Sequence, residues 1–507
     1  MKIRPILPLL LAFTGLAFAE ENVPPAGFTA LFNGKDLGGW FGWGTRDPRD
    51  LLAMSPEQAA EYKKQSVEGG PLVNKTNAKT GATAAEHINA HWKVDGGELV
   101  NDGHGLYATT EKDYGDIELL VDYKMLPKGD SGIYLRGVPQ VQIWDYTDPA
   151  KFALGADKGS GGLWNNEKGS PGKDPLVLAD KPFGEWNHFR ILMVGSRVTV
   201  WLNEKLVVDH AILENYFDKK LAVEKRGPIL PKGFIQLQTH GSEIRWKNLF
   251  VRAIGSDEAC KLLASHGQEG YVSIFNGKDL DGWAGPLDAV KVENGAMVWQ
   301  EKKGGTPYWN TELSDFQARV EFKLPPGGNN GLAIRYPGTG NTAYEGMCEL
   351  QVLDDNYEKA KDAERDGRVT AALLKVLDGN YEKVKDAERD GRVAAALLKV
   401  LDDNYEKVKN KIDPRQAHGS AYGMVAAARG YQHPIGEWNF EEVTVKGSTL
   451  KVELNGSVIL DCDLSKVDME TLMAKSKHPG ATRTSGFFGF AGHNDPVQFR
   501  DVFIKKL

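Results

Sequence analysis

Phe32-Asn33-Gly34-Lys35-Asp36-Leu37, followed by Trp40, returns as Phe275-Asn276-Gly277-Lys278-Asp279-Leu280, followed by Trp283. Two further phrases recur in the same order. Ser131-Gly132-Ile133-Tyr134-Leu135-Arg136 is echoed by Asn330-Gly331-Leu332-Ala333-Ile334-Arg335, and Gly184-Glu185-Trp186-Asn187 by Gly436-Glu437-Trp438-Asn439. Recurrence in a fixed order means that one module is written twice. A function therefore belongs to one copy, the other, or the pair.

Between these phrases both copies read as strands. Ile117 to Tyr123 and Val198 to Leu202 are rich in β-branched and aromatic residues at strand length, and Leu450 to Leu454 alternates before Asn455-Gly456, a type I′ hairpin signal. Short strands joined by Gly, Asn and Pro turns predict an all-β chain of two tandem β-sandwich (jelly-roll) domains. The expected division is 27–255 for the first, a linker at 256–269 and 270–507 for the second. Trp40 and Trp283 are expected to pack the opening strand, and Trp186 to lie in the core.

The copies differ by insertion. Asn33 to Gly132 is longer than Asn276 to Gly331, and the excess lies mainly between Gly42 and His91, a polar stretch read as an ordered loop with a helix near Pro56 to Lys64. In the second copy a unit beginning at Val352 recurs at Val376 and Val400, a period of 24. Its Ala/Leu-rich composition predicts a short α-helical repeat insertion at about 352–412, read as a surface expansion.

The chain has 507 residues, 62 basic and 69 acidic, for a net charge of −7. Without a basic face it is not expected to bind nucleic acid. Lys2 and Arg4 precede an apolar run ending in Ala17-Phe18-Ala19, which reads as a signal peptide over 1–19. The mature protein is then expected outside the cytoplasm, periplasmic or extracellular, and off the membrane. Cys260, Cys348 and Cys462 give no metal-ligand spacing and no disulfide framework. The oligomeric state is not readable from the sequence.

Aromatic rings stack on pyranose faces, and amides or guanidinium groups bond paired hydroxyls, so a sandwich rich in Trp, Gln and Arg suits an oligosaccharide or glycoside. In the first copy Arg136, Gln142, Trp144 and Asp145 occupy consecutive strands. Gln236, Gln238 and His240 alternate and so share one sheet face, with Glu243 close behind. The loop Ser160 to Asn166, carrying Trp164 and Asn165, is polar and glycine-rich enough to cover that face. In the second copy Arg335, Gln351 and His493 hold the matching positions, whereas Ala491 replaces Gln238.

The ordered series of FNGKDL with its Trp, the Ser/Asn-Gly phrase ending in Arg, a strand with Gln and Asp, GEWN, and a closing Thr-His-Gly or Ala-Gly-His strand resembles the 3-keto-disaccharide hydrolase family, twice over. The resemblance implies a concanavalin-like jelly roll and action on glycosides already oxidised at the sugar C3. Gly161 to Asn166 and Leu237 to Gly241 match it best, so the first copy is the expected catalytic one.

A C3 ketone acidifies the C2 proton, so that a base can remove it, expel the aglycone from C1 and let water add back. We expect His240 or Asp145 as base, Arg136 as the group that stabilises the enolate, and Glu243 as acid. Gln142, Trp144, Trp164, Asn165, Gln236 and Gln238 would bind substrate. No tight ligand spacing indicates a cofactor, although a divalent metal could take the place of the arginine. The rival expectation is a non-catalytic carbohydrate-binding protein on the same face. A third has the second copy presenting the first to a polymeric substrate.

Overall fold

The computed structural model describes residues 22–76, 83–360, 411–473 and 477–507. The leader read as a signal peptide and most of the 24-residue repeat lie outside the described residues. Contacts divide the chain into two compact units. One holds residues up to Met193, Val198–Tyr216 and Lys232–Ala253; the other holds Val194–Arg197, Phe217–Pro231 and Ile254–Leu507.

The first unit is a two-sheet sandwich. Its larger sheet has eight strands, ordered Lys205–Ile212, Arg197–Leu202, Asn187–Val194, Ile117–Met125, Ile244–Ala253, Glu98–Asn101 and Trp92–Asp95, with Thr29–Ala30 added beside Ile244–Ala253. The smaller sheet has five, ordered Val138–Trp144, Asp130–Leu135, Gln236–Leu237, Tyr107–Thr110 and Trp40–Trp43. Period-two alternation separates the faces of the smaller sheet. Ile133, Leu135, Val141, Ile143 and Leu237 turn inward and are fully buried, as are Leu119, Val121, Phe189 and Ile191 of the larger sheet. The opposite face receives Tyr107, Tyr134, Gln142, Gln236 and Gln238. The second unit repeats the plan with sheets of eight and five strands. Its core runs from Phe316, Val320 and Phe322 to Leu332, Leu350 and Phe490. The all-β, two-sandwich expectation is met.

The repeated phrases are turn devices. Asn33 Oδ1 accepts the amides of Lys35 and Asp36 at 2.8 and 3.0 Å, and Asn276 does the same for Lys278 and Asp279 at 2.7 and 3.0 Å. Trp40 Nε1 donates to Leu31 O at 2.9 Å, and Trp283 Nε1 to Ile274 O at 2.8 Å, which ties each tryptophan to its opening strand. Asn203 and Asn455 stand at φ of +50° and +47° in their hairpins. Their side chains accept the amides of His188 and Phe440 and donate to Asn187 and Asn439, each at 2.8 or 2.9 Å. The asparagine of Gly-Glu-Trp-Asn is thus bound to the hairpin that follows it.

Trp186 corrects our expectation. It is half-buried, lies outside the sandwich core, and is clasped by Lys124 and Lys247 with nitrogens 4.4 and 4.5 Å from its ring centroid. Trp438 is clasped likewise by Lys323 and Arg500. All three cysteines are free.

The Gly42–His91 stretch contains a helix, Pro56–Glu68, begun by a Ser55/Gln58 capping box. Tyr62 and Val73 pack on Phe41, Trp43 and Phe234 and close one end of the outer face of the smaller sheet. The other end carries the polar residues considered next.

Candidate functional site

Asp130 opens its strand and turns to the outer face, as Gly132 and Tyr134 do. Its Oδ1 accepts Gln142 Nε2 at 3.0 Å. Its Oδ2 takes Lys151 Nζ at 2.7 Å and faces His240 Nδ1 at 3.3 Å. Lys151 is delivered by the 3-10 helix Pro149–Leu154, which Asp148 caps through the Ala150 amide. The carboxylate side chain is 14% exposed and the imidazole 59%, so the acid is recessed while the base reaches solvent.

The charges set the protonation. Pairing with Asp130 raises the His240 pKa above the ordinary 6.5, against a smaller opposing effect of burial. Burial alone would raise the Asp130 carboxyl, but hydrogen bonds from His240 and Lys151 outweigh it and hold the group below its ordinary value. Tyr134, with Thr45 and Tyr107 at its hydroxyl, is pushed upward by burial and stays a neutral phenol.

Glutamines pave the floor. Gln140 donates to Gln142 Oε1, and Gln142 Nε2 also reaches Ser131 O at 3.2 Å. Gln238 Nε2 lies 3.5 Å from the Tyr107 hydroxyl, while its Oε1 is buried without a hydrogen-bond partner. A buried acceptor left open is costly unless something else fills it. Gly132 makes room for this paving: a Cβ there would meet Gln140 Cδ at 3.0 Å and Gln238 Oε1 at 3.1 Å.

The structure brings His240, Gln142 and Gln238 together, with Gln236 on the same face and bonded to Thr109 Oγ1 at 3.2 Å. Trp144 is buried and donates to Gly159 O at 2.8 Å; its ring meets Trp164 edge-on at 6.0 Å. The 160–166 loop is a sheet extension, since Gly161 and Gly162 exchange hydrogen bonds with Gln142 and Leu163 bridges Val141. Trp164 is half-buried there beside Asn165.

Of the other expected catalytic residues, Arg136 is not brought to this group, while Asp145, whose amide donates to Gly129 O beside Asp130, and Glu243 have their carboxylates engaged elsewhere. Arg136 sits beyond the far end of the Asp130–Leu135 strand, about 20 Å away at ~3.3 Å per residue. It is buried, donating to Gly115 O at 3.3 Å and Asp116 Oδ1 at 2.9 Å. Arg335 repeats this with Ser314 O and Asp315 Oδ1, both at 2.8 Å. Asp145 accepts the amides of Lys128 and Thr147 and the Thr147 hydroxyl, each at 2.7 Å, so its oxygens are engaged in holding a turn. Glu243 is drawn to Arg245 at 2.8 Å, beside Glu98 of the larger sheet.

Asp130, Lys151, Gln140 and Tyr107 were not among the expected residues. Asp130 carried a usable signal: it shares the alternation of Gly132, and its counterpart is Asn329, a one-step change between copies.

In the second unit Gln351 pairs with Gly331 as Gln142 does with Gly132. Its Nε2 donates to Asn329 Oδ1 at 2.5 Å and Asn330 O at 3.0 Å. His493 Nε2 lies 3.1 Å from Glu349 Oε1. Among the described residues, no group of three or more His, Cys, Asp and Glu could hold a metal ion. Nor is any described helix long and apolar enough to cross a membrane.

The family model for the 3-keto-alpha-glucoside-1,2-lyase-like domain matches residues 27–252 and again 270–505. The chain belongs to this family. A relative named 3-keto-disaccharide hydrolase, from Bacteroides thetaiotaomicron, is 24% identical over 277 residues, or 47% of this chain and 79% of the relative. Among solved structures, a candidate glycosyl hydrolase from Parabacteroides distasonis is 23% identical, covering 47% of this chain and 95% of its own, with a TM-score of 0.33. The carbohydrate-binding module CBM66 from Bacillus subtilis is 9% identical, covering 47% and 96%, with a TM-score of 0.21.

Proposed function

We propose that the first unit cleaves 3-keto-glycosides, 3-keto-disaccharides among them, by C2 proton abstraction, elimination and hydration. The observation that carries this reading is the contact of His240 with a recessed Asp130, beside the open Gln238 acceptor. Family membership and the name of the Bacteroides relative supply the substrate class.

Asp130 at Nδ1 orients the imidazole and leaves Nε2 as the base. That nitrogen takes the C2 proton, the C2–H electrons form the C1=C2 bond, and the aglycone oxygen leaves C1. The imidazolium returns its proton to the leaving oxygen, and water then adds across C1=C2, giving net hydrolysis. Lys151 offers positive charge to the developing enolate, the role first expected of Arg136. Gln238 Oε1 would accept a sugar hydroxyl.

The apolar leader with its Lys2 and Arg4 supports action outside the cytoplasm. The Ser256–Ser265 helix is the natural division between the two copies. Incubation of purified protein with 3-keto-lactose or 3-keto-trehalose should release free sugar. Binding to a glycan affinity gel without release would favour the carbohydrate-binding alternative.

A further inference from the structure

We propose that the second unit holds its own proton-transfer site for a keto-glycoside, organised by Glu349 and His493. The proposal rests on the reading of the first unit as such a site. Strand register makes the comparison position by position. With Gln351 in the place of Gln142, Asn329 stands where Asp130 stands, and Glu349, like Gln140, lies just before that glutamine in the chain and against the glycine that pairs with it. With Leu332 paired to Phe490 as Ile133 is to Leu237, His493 stands where His240 stands.

Among the exchanges between the sites, two are coupled, acid to amide at 130/329 and amide to acid at 140/349. Either alone would leave a histidine beside no carboxylate or beside two. Together they keep one carboxylate against one imidazole, moved to the neighbouring strand. The arrangement is recessed as in the first unit, with the Glu349 side chain 5% exposed and His493 44%. The buried Glu349 carboxylate carries a desolvation cost that the facing His493 imidazole offsets.

The backbone is fitted to it. A Cβ on Gly331 would meet Glu349 Oε1 at 2.2 Å and Cγ at 2.4 Å, so the strand must carry glycine for the acid to lie across it. Tyr422 replaces Trp164 in the adjoining segment, its amide donating to Glu349 O at 2.9 Å and its hydroxyl accepting from Gln416 at 3.2 Å. Pairing with Glu349 also raises the His493 pKa, as Asp130 does for His240. Among the described residues no lysine or arginine pairs with Glu349, so less positive charge faces an enolate and the second site should be the slower one.

The test compares the wild-type chain, Asp130→Asn/His240→Ala, Glu349→Gln/His493→Ala and the fourfold variant on 3-keto-trehalose and 3-keto-lactose. The first double variant should retain sugar release at least about tenfold above the fourfold variant, a margin expected of one positioned base. Should Glu349→Gln not fold, His493→Ala alone, at a half-exposed position, replaces it. Equal rates for the first double and fourfold variants, with an active wild type, would overturn the second site alone. A wild type inactive on both sugars would overturn both readings.

Discussion

His240 Nδ1 stands 3.3 Å from Asp130 Oδ2, which orients the ring and biases it towards the protonated form. A base must be neutral to act, so kcat/KM should rise with pH along a limb centred above the ordinary imidazole value of 6.5. Asp130→Asn removes the anion that favours imidazolium, so the limb should move to lower pH while the plateau falls. A pH–rate profile of the two proteins checks this; an unmoved limb would detach Asp130 from the titrating group.

Gly132→Ala should leave the protein folded but disturb the glutamine floor. The new methyl would press on Gln140 and Gln238, both in close contact with its position. The expected result is a fall of about tenfold in kcat/KM, carried by substrate binding and orientation, with the transition temperature lowered by only a few degrees. Steady-state kinetics with a thermal melt would register it.

Arg136→Ala should behave in the opposite way. The guanidinium is buried against Asp116 and a carbonyl, far from His240, and its removal leaves a carboxylate without that partner. We expect a loss of about 3 kcal/mol in unfolding free energy, with kcat within about twofold of wild type for the protein that remains folded. Urea unfolding and active-site-normalised kinetics separate the two effects.

The contrast between Arg136 and Asp130 explains what the sequence disclosed. Repetition marked Asn33, Asn187, Trp40 and Arg136 because each is bound to the fold, through a turn, a hairpin or a buried pair that both copies need. Such devices are mostly local and survive duplication, so architecture was legible. The site draws Asp130, Lys151 and His240 from three separate segments, a strand, a 3-10 helix and the stretch that follows another strand. Asp130 has become Asn329 in the second copy, so a search for shared residues passes over it. His240 was found because His493 remains, Gln238 because alternation placed it on one face with Gln236 and His240, and Gln142 because it lies in a strand rich in polar and aromatic side chains. Trp186 was misjudged because aromatic character does not distinguish a core ring from one clasped between lysine side chains.

The most direct test is the rate of sugar release from 3-keto-trehalose and from trehalose itself, measured side by side for the wild type and His240→Ala. The account predicts cleavage of the keto sugar alone, reduced ~10²-fold or more by the substitution. Equal cleavage of unoxidised trehalose, or a His240→Ala rate equal to wild type, would contradict it.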